Sequence, residues 1–183
     1  MRLTIVEPSH AFPAGYLEIS DARIIWPNFA GRPTDFNPEG GKREFNLVIS
    51  DQEIADALSK NVSRYGDSWN VKIKPPREEG EEPLMYLPVK VKFNKRGPAV
   101  YLDTGKNRVR LTEETVSCLD VIDIIKVDLD IRPYDSEKGR NTYRTAYLAG
   151  MCVYQRPDRF ADRFGGQDDE YYDENGDDVA VPF

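Results

Sequence analysis

One histidine and two cysteines leave this 183-residue chain poor in transition-metal ligands. His10 stands in a proline-containing stretch with no partner motif beside it. Cys118 and Cys152 are too few for a disulfide framework or a four-ligand zinc site. Each sits among apolar neighbours, which favours buried free thiols and a reducing, cytoplasmic compartment. Residues 1–8 hold no apolar run of signal-peptide length, and no window approaches a membrane span. The chain has no phosphate-cradling glycine loop, nucleophile elbow or zinc spacing. No catalytic residue, metal or cofactor is therefore expected. An excess of positive charge is missing too: 25 Lys and Arg face 32 Asp and Glu, for a net charge of −7. Spread evenly, that balance would argue against a nucleic-acid partner.

The charge is not spread evenly. Residues 167–183 hold seven acids and no base, so residues 1–166 carry 25 of each sign. Within that neutral body, residues 84–112 contain Lys90, Lys92, Lys95, Arg96, Lys106, Arg108 and Arg110 against the single acid Asp103. A basic stripe thus sits in a neutral domain that ends in an acidic arm. The arm repels itself and has little apolar surface to offset ordering entropy, so it is expected to be disordered. Its last residues are Val181, Pro182 and Phe183. A ring beside the terminal carboxylate suits a pocket with a basic rim, which reads as a docking peptide. The plainer reading is a solubility tail.

The body reads mostly as strands. Residues 16–26 are β-rich, and a Gly/Pro/Asn loop follows from 27 to 41. Phe45, Leu47 and Ile49 alternate. Ser50 and Glu53 form a capping-box pattern before a short helix expected to end near Lys60. Trp69, Val71 and Ile73 alternate against Lys72 and Lys74, and Val89, Val91 and Phe93 against Lys90 and Lys92. Residues 99–111 suggest two short strands folded at 104–107. A helical turn is expected over 113–119. A strand over 125–132 and a tyrosine-rich strand over 141–155 make a hairpin through the turn at 135–140. Many strands, one or two short helices and frequent turns imply a mainly β fold, a small barrel or sandwich. The division is a domain over 1–156, a linker over 157–166 and the acidic tail.

The alternations carry the chemistry. Lysines at i and i+2 on a strand lie about 7 Å apart, close to the phosphate spacing of a single strand. Lys72, Lys74, Lys90 and Lys92, with Lys95, Arg96, Lys106, Arg108 and Arg110 beside them, would line a groove that follows a phosphate backbone. A solvated strand face is the plainer account of any one pair, and it weakens because the pairs cluster. Exposed rings add stacking platforms for bases. Tyr101 is the leading candidate, since Val100 and Leu102 share the opposite face. Tyr86 lies in the same region, and Tyr134 and Arg140 border the 135–140 turn. Trp26 and Phe36 suit stacking and core packing equally, whereas Trp69 alternates with apolar residues and belongs in the core.

These features resemble a family. Bacterial single-stranded DNA-binding proteins end in an acidic tail whose tip resembles Asp-Asp-x-Pro-Phe; Asp177, Asp178, Pro182 and Phe183 match it in kind. Here Val179, Ala180 and Val181 stand where one residue is usual. The block from Lys92 to Asp103 and the segment ending at Gly150 are similar to phage-encoded single-stranded DNA-binding proteins across most of residues 16–156. The resemblance implies an OB-fold-like five-stranded barrel with extra hairpins. It implies sequence-independent protection of single-stranded DNA during phage replication or recombination in the host cytoplasm. The tail would recruit replication and recombination proteins and compete with DNA for the groove. Self-association is left open.

Two other classes are weighed. Asp120, Asp123, Asp128 and Asp130 could be imagined as metal carboxylates of a nuclease, but Lys126 and Arg132 share the face of Asp128 and Asp130, which makes a salt-bridged surface simpler. A tail-bearing interaction protein or DNA mimic is the other. A mimic predicts acid spread over the folded surface, whereas here the excess is confined to the end.

Overall fold

A computed structural model of the chain describes residues 1–10, 13–35, 37–76, 78, 80–95 and 97–157. Strands dominate: β1 Arg2–Val6, β2 Tyr16–Ala22, β3 Ile24–Asn28, β4 Arg43–Ile49, β5 Lys72–Lys74, β6 Leu84–Val91, β7 Ala99–Asp103, β8 Arg108–Leu111, β9 Ile124–Lys138 and β10 Asn141–Gln155. One α-helix, α1 Gln52–Lys60, and one 3-10 helix, Val116–Asp120, complete the described elements. The mainly β expectation with short helices holds.

Hydrogen-bonded neighbours run β1-β2-β9-β10-β6-β4-β3. The ladder itself does not close. Yet Arg23 alone separates β2 from β3, so the path from β2 round to β3 starts and ends on one bent stretch of chain. The bend has a local cause: Asp21 takes a left-handed φ of 55°, and the β2–β9 register shifts between Ile19 and Ala22. β6 and β10 are parallel, while β3–β4, β4–β6, β9–β10 and β2–β9 are antiparallel. Five strands arranged around such a bend give the OB-type connectivity. The extra hairpin β7–β8 adds to β10 beyond the end of β6, and β1 extends the sheet from β2.

The strands alternate because their inner residues fill the barrel. Leu17, Phe45, Leu87, Val89, Ile131 and Leu148 are each at most 1 % exposed. Phe29 and Phe45 stack at 5.5 Å between centroids. The 3-10 helix buries Val116 and Leu119, and its Asp120 accepts the N–H groups of Phe29 at 2.7 Å and Ala30 at 2.9 Å. Trp69 is buried, as expected, and its indole N–H donates to Asn61 Oδ1 at 2.8 Å.

Three local expectations change. The capping box does not form: Asp51 is the N-cap without a side-chain bond, and the Ser50 hydroxyl instead donates to its Oδ2 at 2.7 Å. Those two short side chains satisfy each other before either reaches the helix. The turn expected at 135–140 shrinks to Gly139 and Arg140, because β9 continues to Lys138. These charged residues pair in a two-stranded ribbon and need no hydrophobic alternation. β1 was not read as a strand; it is a short edge strand whose apolar Leu3 and Ile5 are only half-buried. The linker and tail lie outside the described residues apart from Pro157.

Candidate nucleic-acid interface

The outer face of β6 presents Tyr86, Pro88 and Lys90, with Lys92 just beyond the strand, because Leu87, Val89 and Val91 turn inward. Register carries this face across the barrel. Lys90 pairs with Glu44 of β4 on one side and with Tyr147 of β10 on the other, and Tyr147 pairs with Arg132 of β9. Lys90, Tyr147 and Arg132 therefore form one row over three strands. Tyr134 meets Tyr147 edge to face at 5.8 Å.

Three cavities open along this side of the sheet. The first, of about 530 Å³, lies between residues 67–72 and 142–146 and includes Lys72, Lys90, Tyr143 and Arg144. The second, of about 450 Å³, is lined by Lys92, Asn94, Arg132, Pro133, Tyr134 and Tyr147, with no carboxylate. The third, of about 510 Å³, shares Asn94 with the second and includes Lys95, Arg110 and Glu113. Lys72, Lys90, Lys92 and Arg132 make no ion pair among the described residues. Cations and rings without paired acids can hold a phosphate backbone and stack bases beside it.

A further cluster sits at the start of β6. Trp26 is 51 % exposed and packs edge-on against Tyr86 at 5.3 Å, with Lys74 Nζ 5.3 Å from its ring centroid. Its φ of 49° is unusual for a bulky side chain, and it falls where the β3–β4 register shifts. Such backbone strain tends to gather where a side chain is held for use. Trp26 is thus exposed and not part of the buried core.

The remaining sequence candidates lie elsewhere. Tyr101 is the cross-strand partner of Arg110, and it lines a separate cavity of about 430 Å³ with Glu18, Asp128, Asp130 and Cys152. There burial, reinforced by Glu18, raises the pKa of Asp130. The Asp128 carboxylate accepts the Tyr154 hydroxyl at 2.9 Å, which pushes the tyrosine up to about 12. Arg108 is paired with Asp103 at 2.9 Å, and Lys106 sits in the turn between them. Arg140 is exposed at the ribbon tip. Phe36, Arg96, Asp177, Asp178, Pro182 and Phe183 lie outside the described residues. Tyr147 is not among the sequence candidates, and Arg132, assigned to a salt-bridged surface, makes no ion pair among the described residues. Alternation of Tyr147 with the buried Ala146 and Leu148 was the available signal.

Three of the four carboxylates weighed as metal ligands are otherwise engaged. Asp120 accepts two backbone N–H groups, Asp123 pairs with Arg156 at 2.6 Å, and Asp128 accepts the Asp21 N–H as well as the Tyr154 hydroxyl. No group of three or more metal-competent side chains occurs among the described residues. No helix among them is long and apolar enough to cross a membrane.

The profile of the putative phage ssDNA-binding domain family matches residues 10–168. The chain belongs to this family. No curated protein matches it. Among solved structures it is similar to the single-stranded DNA-binding protein from bacteriophage Enc34, at 13 % identity and a TM-score of 0.48, covering 86 % of this chain and 92 % of that one. A C-terminal truncation of that protein gives 13 % identity and 0.49, covering 86 % and 95 %. Its complex with ssDNA gives 17 % and 0.45, covering 86 % and 96 %.

Proposed function

We propose that the protein covers single-stranded DNA without regard to sequence, laying the backbone along the three cavities. The strand passes Lys72 and Lys90, then Lys92 and Arg132, then Lys95 and Arg110, with bases against Tyr134, Tyr143 and Tyr147. Trp26, Tyr86 and Lys74 extend the path at one end. The carrying observation is the Lys90–Tyr147–Arg132 row opening into a cavity lined by cations and rings without an acid. Such a surface reads phosphate and the π-face that every base has, so it protects rather than selects. Phage replication or recombination in the host cytoplasm is the setting this suits. The assignment is to binding, not catalysis: Asp120 and Asp128 accept hydrogen bonds from within the fold and Asp123 is in an ion pair.

Residues 167–183 add a second role in this reading. Phe183, behind Asp177, Asp178 and Pro182, docks a replication or recombination protein, and the seven acids compete with DNA for the groove at high effective concentration. Fluorescence anisotropy with single-stranded and duplex DNA at two salt concentrations tests the groove. Tight, salt-sensitive binding of single strands is expected, and absence of binding would sink the assignment. Deleting residues 167–183 should raise DNA affinity, most at low salt. Deleting Phe183 alone should spare DNA binding and abolish capture of the protein partner.

A further inference from the structure

Arg144 is a buried cation at the wall of the first cavity, and its guanidinium is taken up by bonds within the protein. It is 9 % exposed, on β10, where the β9–β10 ribbon leaves the barrel. Its guanidinium donates to Asp135 Oδ1 at 2.9 Å on the facing strand. It also donates to the Asn61 carbonyl at 2.9 Å and Oδ1 at 2.8 Å, at the C-cap of α1. It lies 5.1 Å from the Trp69 ring centroid, and Trp69 itself donates to Asn61 Oδ1. One side chain therefore joins the ribbon to the end of α1 and to the segment beginning at Asp67. Residues 67–72 and 142–146 form the two walls of the first cavity.

We propose that Arg144 is a positioning residue whose clasp sets the width of the groove and so favours a single strand over a duplex. This rests on the groove reading above. The ribbon carries Tyr134 and Tyr143, at 59 % and 47 % exposure. β6 first pairs with β10 at Ala146, so residues 134–145 project as two strands alone. A two-stranded hairpin is marginally stable in water, and its angle to the barrel needs an external tie. Five donors in a rigid fork let arginine hold three segments at once; a lysine ammonium, a point charge, cannot reproduce that geometry. Asp135 balances the charge locally, so the clasp adds little to the attraction of phosphate.

The test uses Arg144→Gln, Arg144→Lys and the pair Asp135→Asn with Arg144→Gln, which leaves no uncompensated buried charge. Each is placed in a Trp26→Phe background, so that Trp69 is the reporting tryptophan. Binding to single-stranded and duplex DNA is measured across salt, well below each variant's Tm. Single-strand affinity should fall about tenfold in all three. Duplex affinity should hold or rise, the salt slope should not change, and Trp69 emission should shift. Failure of Arg144→Lys to rescue separates the fork from the charge. Full rescue by lysine, or an unchanged single-strand to duplex ratio in the folded paired variant, would overturn the proposal. A parent protein that binds no single strand would defeat the groove reading itself, whatever Arg144 does.

Discussion

β9 and β10 border two cavities of opposite character, one on each side of the register break between Leu148 and Gly150. On the side of Tyr147 the lining is Lys92, Arg132, Tyr134 and Tyr147; on the side of Cys152 it is Glu18, Asp128, Asp130 and Tyr101. Both sides alternate charged outward positions with buried ones, and both expose a tyrosine. The strands laid alongside make the difference. β6 brings Lys90 against Tyr147, whereas β2 brings Glu18 against Asp130. A phosphate backbone is attracted to the first and repelled by the second. A tyrosine in a basic stretch of sequence, even one paired across the strand with Arg110, is therefore a weaker pointer than a tyrosine whose cavity holds cations and no carboxylate.

The sharpest break of this contrast is Lys92→Ala with Arg132→Ala. Single-strand affinity should fall by roughly ten- to a hundredfold at low salt, with the salt slope reduced by about two phosphates' worth. An unchanged slope would remove the second cavity from the interface. Tyr147→Ala should then cost about 1–3 kcal/mol in affinity for every sequence alike. Tyr101→Ala, beside three carboxylates as well as Arg110, should change affinity by less than about threefold; a loss matching Tyr147's would extend the interface from Arg110 across to β7.

Smaller effects sharpen the comparison. Single-stranded DNA should quench the exposed Trp26, and Trp26→Phe should remove most of that quenching, since the buried Trp69 is shielded. Asp130 has a folded-state pKa raised by burial and by Glu18. Its ionised form is disfavoured by folding, so stability is lost as pH rises through the window above the ordinary carboxylate range. The loss is absent at lower pH, where the group is protonated folded or unfolded. Asp130→Asn should therefore raise Tm by about 1–2 °C at neutral pH and leave it unchanged in acid, by calorimetry.

Much of the fold was legible, because strands that bury one face must alternate. Phe45, Leu47 and Ile49, and Val89 and Val91, fixed their strands and put Lys90 and Lys92 outward. Trp69 was placed in the core on the same ground and is buried, but the alternation does not extend to Ile73, which is 65 % exposed on the short strand β5. The ribbon's length was not legible, since residues 135–138 carry no apolar alternation and the one side chain among them that ties the ribbon down, Asp135, does so through the distant Arg144. Arg132 was misread for a related reason: along one strand its visible neighbours are Asp128 and Asp130, which lie toward the other cavity.

The amino-acid pattern by itself determined a mainly β body, an outward lysine stripe and an acid-rich end, because burial and charge act residue by residue. Whether that stripe meets rings or carboxylates was decided only in the tertiary structure. That outcome depends on register and on a parallel pairing between β6 and β10, whose paired residues stand more than fifty positions apart. Local alternation sets which way a side chain points. It carries no information on which distant strand will lie beside it, and the sign of the field at the site follows from that neighbour.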